Sequence, residues 1–125
     1  MVTLLSHLEP RSEEAGTVLF KTIEEVDEIF FIEKGTVDIG FEINRETRFI
    51  IRLKQGGVIG AYNLTFNTKT LFLYRVKDTF CGLTIRKDHW NRIMNEKEYD
   101  DITSYIKEKV ETEYNKKIKK VMIIE

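Results

Sequence analysis

Gly56-Gly57-Val58-Ile59-Gly60-Ala61-Tyr62-Asn63-Leu64, followed by Asn67-Thr68-Lys69-Thr70-Leu71, is the stretch on which the reading of this chain turns. A turn with three glycines leaves a strand and enters one short helical turn. Glycine allows the left-handed backbone and close approach that such a turn needs. The start of a helical turn offers backbone N–H groups, which is how proteins commonly hold a phosphate. The stretch therefore has the shape of a phosphate cradle.

On either side of it lie short strands. Thr17–Phe20 is a short apolar run, and Ile29-Phe30-Phe31-Ile32 is a β-branched and aromatic run stopped by Lys34-Gly35. Val37, Ile39, Phe41 and Ile43 alternate with polar residues and glycine, the period of a half-buried strand. Asn44-Arg45-Glu46 is a hairpin-like turn and Phe49–Leu53 the return strand. Leu71–Val76 and Phe80–Ile85, joined by Lys77-Asp78-Thr79, complete the set, and the only proline, Pro10, precedes the first strand. Strands this short with turns this regular predict an antiparallel sandwich or barrel. After Arg86 the composition becomes helical. Asp88–Met94 reads as a short helix in which Trp90, Ile93 and Met94 pack onto the strands. From Tyr99 to Val121 apolar residues recur every three or four positions, including Ile102, Ile106, Val110 and Tyr114, one face of a long amphipathic helix. The expected fold class is thus mainly β with C-terminal α: short strands over about 11–85 that contain the glycine stretch at 56–72, then helices over about 86–121, all within one domain spanning 1–125.

Composition narrows the function. With 42% apolar and 33% charged residues the chain reads as an ordinary soluble globular protein. Its net charge of −1 argues against a general nucleic-acid binder. Residues 9–46 carry a net −7 and residues 47–97 a net +7. These blocks read as two solvated faces, or more sharply as opposite faces suited to head-to-tail contact between copies. One cysteine, Cys81, in an apolar run, reads as a buried structural thiol in a reducing compartment. No apolar run approaches a membrane span and no secretory leader is apparent. Val2–Leu8 reads as part of a helix cut short, as in a piece of a larger protein.

Catalysis is not expected. A sandwich or barrel of this kind also shells metal-dependent enzymes, but those converge several histidines and a carboxylate on one metal. Here there are two histidines, His7 and His89, neither on a predicted strand. The acidic run Glu24-Glu25-Val26-Asp27-Glu28 lacks the glycine and spacing of a calcium loop, so no metal site is assigned.

Taken in order, these pieces resemble the cyclic-nucleotide-binding domain family over roughly residues 4 to 120, and the resemblance implies an antiparallel, jelly-roll-like β-roll at about 11–85 followed by a short helix and a long amphipathic helix. Glu28–Val37 is similar to a strand pattern of that family, Gly56–Gly60 to the turn opening its phosphate-binding cassette, and Leu64–Phe72 to the cassette's second half. Leu4–Pro10 gives the narrower likeness, to the cytosolic domains of voltage-gated-type potassium and hyperpolarisation-activated channels. The resemblance implies pocket positions at Gly60, Ala61, Tyr62, Lys69, Thr70 and Leu71. In the family a glutamate directly after the last glycine holds the ribose hydroxyl, and an arginine about nine residues later pairs with the cyclic phosphate. Those positions are Ala61 and Thr70 here. Lys69, one place earlier, would point to the opposite face if the segment were a strand. The implied function is a regulatory domain of an ion channel with a degenerate site, and no cofactor is expected. Cyclic AMP or cyclic GMP would be a ligand only if the cassette still binds. The implied partners are the rest of the channel polypeptide and neighbouring subunits of a tetramer at the cytoplasmic face of a membrane, with no nucleic acid and no membrane insertion of this segment. In ether-à-go-go-type channel domains residues after the last helix fill the empty pocket, which puts Met122–Ile124 forward for the same role. The alternative is a working cyclic-AMP or cyclic-GMP sensor of the kinase regulatory-subunit or transcription-regulator type.

Overall fold

The computed structural model describes residues 7–95 and 100–116. Eight strands come first: β1 (Glu9–Glu13), β2 (Val18–Phe20), β3 (Glu28–Lys34), β4 (Val37–Ile43), β5 (Glu46–Leu53), β6 (Val58–Ile59), β7 (Leu73–Val76) and β8 (Phe80–Arg86). A one-turn helix, α1 (Ala61–Thr65), interrupts them between β6 and β7, and α2 (Lys87–Asn95) and α3 (Asp100–Tyr114) follow. The strands form two four-stranded antiparallel sheets, ordered β1-β8-β3-β6 and β2-β7-β4-β5.

The sheets meet through a chain of rings. Tyr74 and Phe20 from the second sheet, then Phe30 and Phe80 from the first, contact one another edge to face at centroid distances of 6.1, 5.6 and 5.8 Å. Such pairs add about 0.5–1.5 kcal/mol each beyond the area they bury. Ile29, Ile39, Ile85 and Val37, none of them exposed, fill the space around the rings. The alternation read in Val37–Ile43 predicts only half of what β4 does, because Asp38 and Gly40 are buried as well. β4 is a central strand, and Asp38 lies across from Arg52 and Arg75 on its two neighbours.

Several sequence expectations are corrected by long-range pairing. Pro10 does not precede the first strand but lies within β1, opposite Leu83. β1 is an edge strand, where a residue without an N–H is tolerated. The glycine stretch contains a two-residue strand, β6, paired to Phe30 and Phe31. In the β4–β5 hairpin only Asn44 and Arg45 form the turn, both at positive φ (53° and 68°), as a two-residue connection requires. Cys81 is partly exposed, its Sγ 3.7 Å from Ser12 Oγ on β1. Two ion pairs join the oppositely charged sequence blocks: Arg52 Nε donates to Asp38 Oδ1 at 2.8 Å and Arg86 pairs with Glu9 at 3.6 Å, while Arg11 pairs within its own block, with Glu13 and Glu28.

Past the roll, Trp90, Ile93 and Met94 of α2 are buried as expected, and the Trp90 indole donates to Thr65 Oγ1 on α1 at 3.1 Å. The long helix is described from Asp100 to Tyr114. Of its expected continuation to Val121, residues 115–116 are helical and the rest lies outside the described residues, as do the opening segment Val2–Ser6 and Met122–Ile124.

Two substitutions should move stability in opposite directions. Phe80 is fully buried, so Phe80→Ala should cost about 3–5 kcal/mol. Ile23 is 65% exposed and sits at φ 62°, an expensive conformation for a β-branched side chain. Replacing it by asparagine, which tolerates that backbone, should gain up to about 1 kcal/mol. Urea denaturation midpoints read both effects.

Candidate ligand site between the roll and the last helix

The site is built outward from Gly60. Its φ is 88°, and a Cβ there would lie 2.8 Å from the Glu28 carbonyl oxygen and 3.0 Å from Val26 Cγ1. Only glycine combines that backbone with that crowding. The chain thereby turns from β6 into α1 close against β3. Gly60 caps α1 with its carbonyl, which accepts from Leu64 N–H at 2.9 Å, and no side chain caps the helix. The N–H groups of Ala61, Tyr62 and Asn63 precede the first intrahelical bond.

Asn67 ends α1 at φ 53°, and Thr68 N–H reaches back to the Asn63 carbonyl at 2.9 Å, the six-to-one closure of a left-handed helix stop. Buried Asn63 then ties down the loop. Its Nδ2 donates to Thr68 Oγ1 at 3.2 Å and to the Lys69 carbonyl at 3.1 Å. Thr70 is fully buried. Its hydroxyl donates to the Phe72 carbonyl (3.0 Å) and accepts from Phe72 N–H (3.1 Å). Its backbone is held by Glu24 and Ile23 at 3.0 and 2.7 Å.

Between this cassette and α3 lies a cavity of about 310 Å³. The roll contributes Leu53, Gly56, Val58 and Tyr74, and the cassette Gly60, Ala61, Tyr62 and Asn63. α3 closes it with Lys109, Val110, Glu113 and Tyr114. Tyr114 stacks on Tyr62 with ring centroids 3.9 Å apart and planes within 11°, and Phe66, one helical turn on, leans on Tyr62 at 4.9 Å.

Of the six positions read from the sequence, Gly60, Ala61 and Tyr62 are on the cavity wall. Lys69, Thr70 and Leu71 are not. Lys69 is exposed and Leu71 is 50% exposed. The strand expected over Leu71–Val76 begins only at Leu73, so Lys69 and Thr70 lie in a loop and strand alternation does not set their directions. Backbone bonds from the Ile23–Glu24 turn do. Sequence reasoning missed Asn63, Tyr74 and the α3 contribution. Val110 and Tyr114 were visible as neighbours on one helical stripe, but nothing local says what that stripe faces.

Burial pushes the Tyr74 hydroxyl well above the ordinary phenol range; the nearby Tyr114 adds to this and a hydrogen bond with Thr70 opposes it. Tyr114 is raised for the same first reason, then by Tyr62. His7 and His89 stack at 3.9 Å away from this site, and among the described residues no group of three or more His, Cys, Asp or Glu can hold a metal ion.

The ring stack should therefore govern how α3 sits on α1. Tyr62→Ala removes a contact worth about 1 kcal/mol, which should raise amide hydrogen exchange across residues 105–114 about fivefold. Both phenols are raised, so the neutral forms favour the native state. That contribution is complete below the unfolded tyrosine value of about 10 and is lost as pH climbs through the raised native values. The urea midpoint of the wild type should therefore fall at alkaline pH, and fall less in Tyr114→Phe, which keeps only the Tyr74 contribution.

No family model matches the chain, and no curated protein matches it. Solved structures do. The chain is similar to the regulatory domain of Toxoplasma gondii PKA, crystallised with cAMP, at 17% identity and a TM-score of 0.69, covering 74% of this chain and 35% of that one. It is similar to the regulatory subunit of a cAMP-independent protein kinase A from Trypanosoma brucei at 14% identity and a TM-score of 0.71, over 90% and 37%. A cyclic-nucleotide-binding-like protein from Brucella abortus matches at 22% identity and a TM-score of 0.68, over 76% and 82%. The chain thus spans little more than a third of either kinase protein. At such identities what is shared is architecture: two antiparallel sheets with a cassette helix and trailing helices, the fold of cyclic-nucleotide-binding domains.

Proposed function

We propose that this chain is a regulatory domain whose nucleotide site is degenerate, and that it works mechanically through the seating of α3 on the cassette. The observation that carries this reading is the cavity wall supplied by the roll and cassette: every residue there is uncharged. Ala61 occupies the position at which the resemblance places a ribose-binding glutamate. Thr70, at the arginine position, is buried with its hydroxyl bonded to Phe72. Lys69, the nearby cation, is exposed and off the wall.

Charge-assisted hydrogen bonds contribute about 1.5–3 kcal/mol each. Loss of two would weaken nucleotide binding by roughly two to four powers of ten. A domain without that ligand can still have two arrangements of its last helix, and anything preferring one of them shifts the balance. The Tyr62–Tyr114 stack supplies such a preference from within the chain.

The finer setting belongs to the same proposal. The domain is read as a non-catalytic segment of an ion-channel polypeptide, at the cytoplasmic face of a membrane, contacting the rest of the channel and its neighbouring subunits. Among the described residues no helix is long and apolar enough to cross a membrane. The channel setting rests on the likeness of Leu4–Pro10 and is checked by the full-length gene product: six apolar spans upstream support it, while a helix-turn-helix downstream or a tandem second domain selects the sensor types instead.

Titration calorimetry with cyclic AMP and cyclic GMP should show no saturable heat at micromolar concentration. Saturable micromolar binding overturns the degenerate site, and its loss in Lys69→Ala would identify Lys69 as a substitute anchor after movement of the loop.

A further inference from the structure

We propose that the cavity beneath α3 takes an uncharged, flat, largely apolar small molecule. This deepens the degenerate-site reading and rests on it. At about 310 Å³ the cavity falls at the small end of the range of small-molecule sites, about 300–1,000 Å³. Its size alone does not choose a ligand; its walls do. Leu53 and Val58 on the roll face Val110 on α3, and the rings of Tyr62, Tyr74 and Tyr114 make up much of the remainder. On the roll side an anion entering would meet only the Ala61–Asn63 N–H groups, with no charged side chain there to offset its lost hydration. The wall's cation, Lys109, stands on α3 one turn from Glu113, of opposite sign, so the helix side adds little net field.

A neutral planar molecule meets no such penalty. Aromatic faces and aliphatic side chains reward its burial directly. Orientation can come from the Tyr114 hydroxyl, protonated at neutral pH and able to donate or accept, and from the capacity that the Tyr74 hydroxyl keeps beside its bond with Thr70. Asn63 has committed its amide hydrogens to Thr68 and Lys69, so its carbonyl oxygen is the atom left to accept. The walls belong to two bodies, the roll and α3, so a molecule touching both favours the seated helix. The site would thus be regulatory in the same sense as the ring stack, and in the same direction.

A matched pair of probes tests this on the whole 125-residue chain. N-phenyl-1-naphthylamine is neutral, and 8-anilino-1-naphthalenesulfonate is the same skeleton with an anionic sulfonate. The neutral probe should give saturable fluorescence enhancement at one site per chain and bind at least about tenfold tighter than the sulfonate. Val110→Trp, on the helix side of the cavity, should weaken it about tenfold. Amide chemical-shift changes should centre on Gly60–Asn63 and Val110–Tyr114, and this map decides if the tryptophan variant does not fold. Absence of saturable binding, equal or tighter binding of the sulfonate, or shifts centred elsewhere overturns the proposal. If the neutral probe fails while cyclic AMP also gives no heat, the ligand assignment alone is wrong. If cyclic AMP displaces the probe at micromolar concentration, the degenerate-site reading beneath it is wrong as well.

Discussion

Much of the candidate site depends on one steric constraint, the close approach of Gly60 to the backbone of β3. With the Glu28 carbonyl oxygen and Val26 where a Cβ would stand, the chain can turn left-handed and set α1 against the roll. From that placement the cassette side chains sort themselves. Leu64 enters the core, Asn63 turns inward to bind the loop, and Tyr62 is presented to α3. A bulkier residue would lift α1 and disperse all three. Geometry of backbone packing, rather than any ligand, is what keeps the cassette in shape.

That distinction explains how a site can shed its charges and retain its form. The loop after α1 is fixed by the left-handed stop at Asn67, by the Asn63 amide, and by backbone bonds from the Ile23–Glu24 turn to Thr70. None of these needs an anion. Ile23 even accepts an unfavourable backbone conformation while its N–H bonds the Thr70 carbonyl at 2.7 Å. The Thr70 hydroxyl, folded back onto Phe72, is satisfied without a bound phosphate. Among the described residues, α3 meets the cassette through the Tyr62–Tyr114 ring stack.

The interleaving of strands has a second consequence. Each sheet draws members from the acidic and the basic part of the sequence, so charges far apart along the chain face each other across a ladder. Asp38 on β4 sits between Arg52 and Arg75, and Glu9 on β1 reaches Arg86 on β8. Part of a segregation that looks bipolar on paper is thereby neutralised locally. The roll side of the cavity carries no charged side chain, which is the condition under which a neutral occupant is favoured over an anionic one.

What could be read from the chain alone follows from short-range physics. Alternating residues announced β4, the Asn44-Arg45-Glu46 run announced a hairpin, the glycines announced a tight turn into a helical one, and helical spacing announced the stripe holding Val110 and Tyr114. Each signal is a backbone preference or a periodicity contained within a few residues. The absence of a carboxylate at position 61 and of an arginine at 70 was equally legible. Tertiary structure alone decided that Pro10 lies in an edge strand, that Val58–Ile59 pairs with β3, that Lys69 points away while Thr70 is buried, and that Tyr114 meets Tyr62. Those outcomes are set by partners tens of residues distant, and side-chain direction in a loop has no period of its own to betray it.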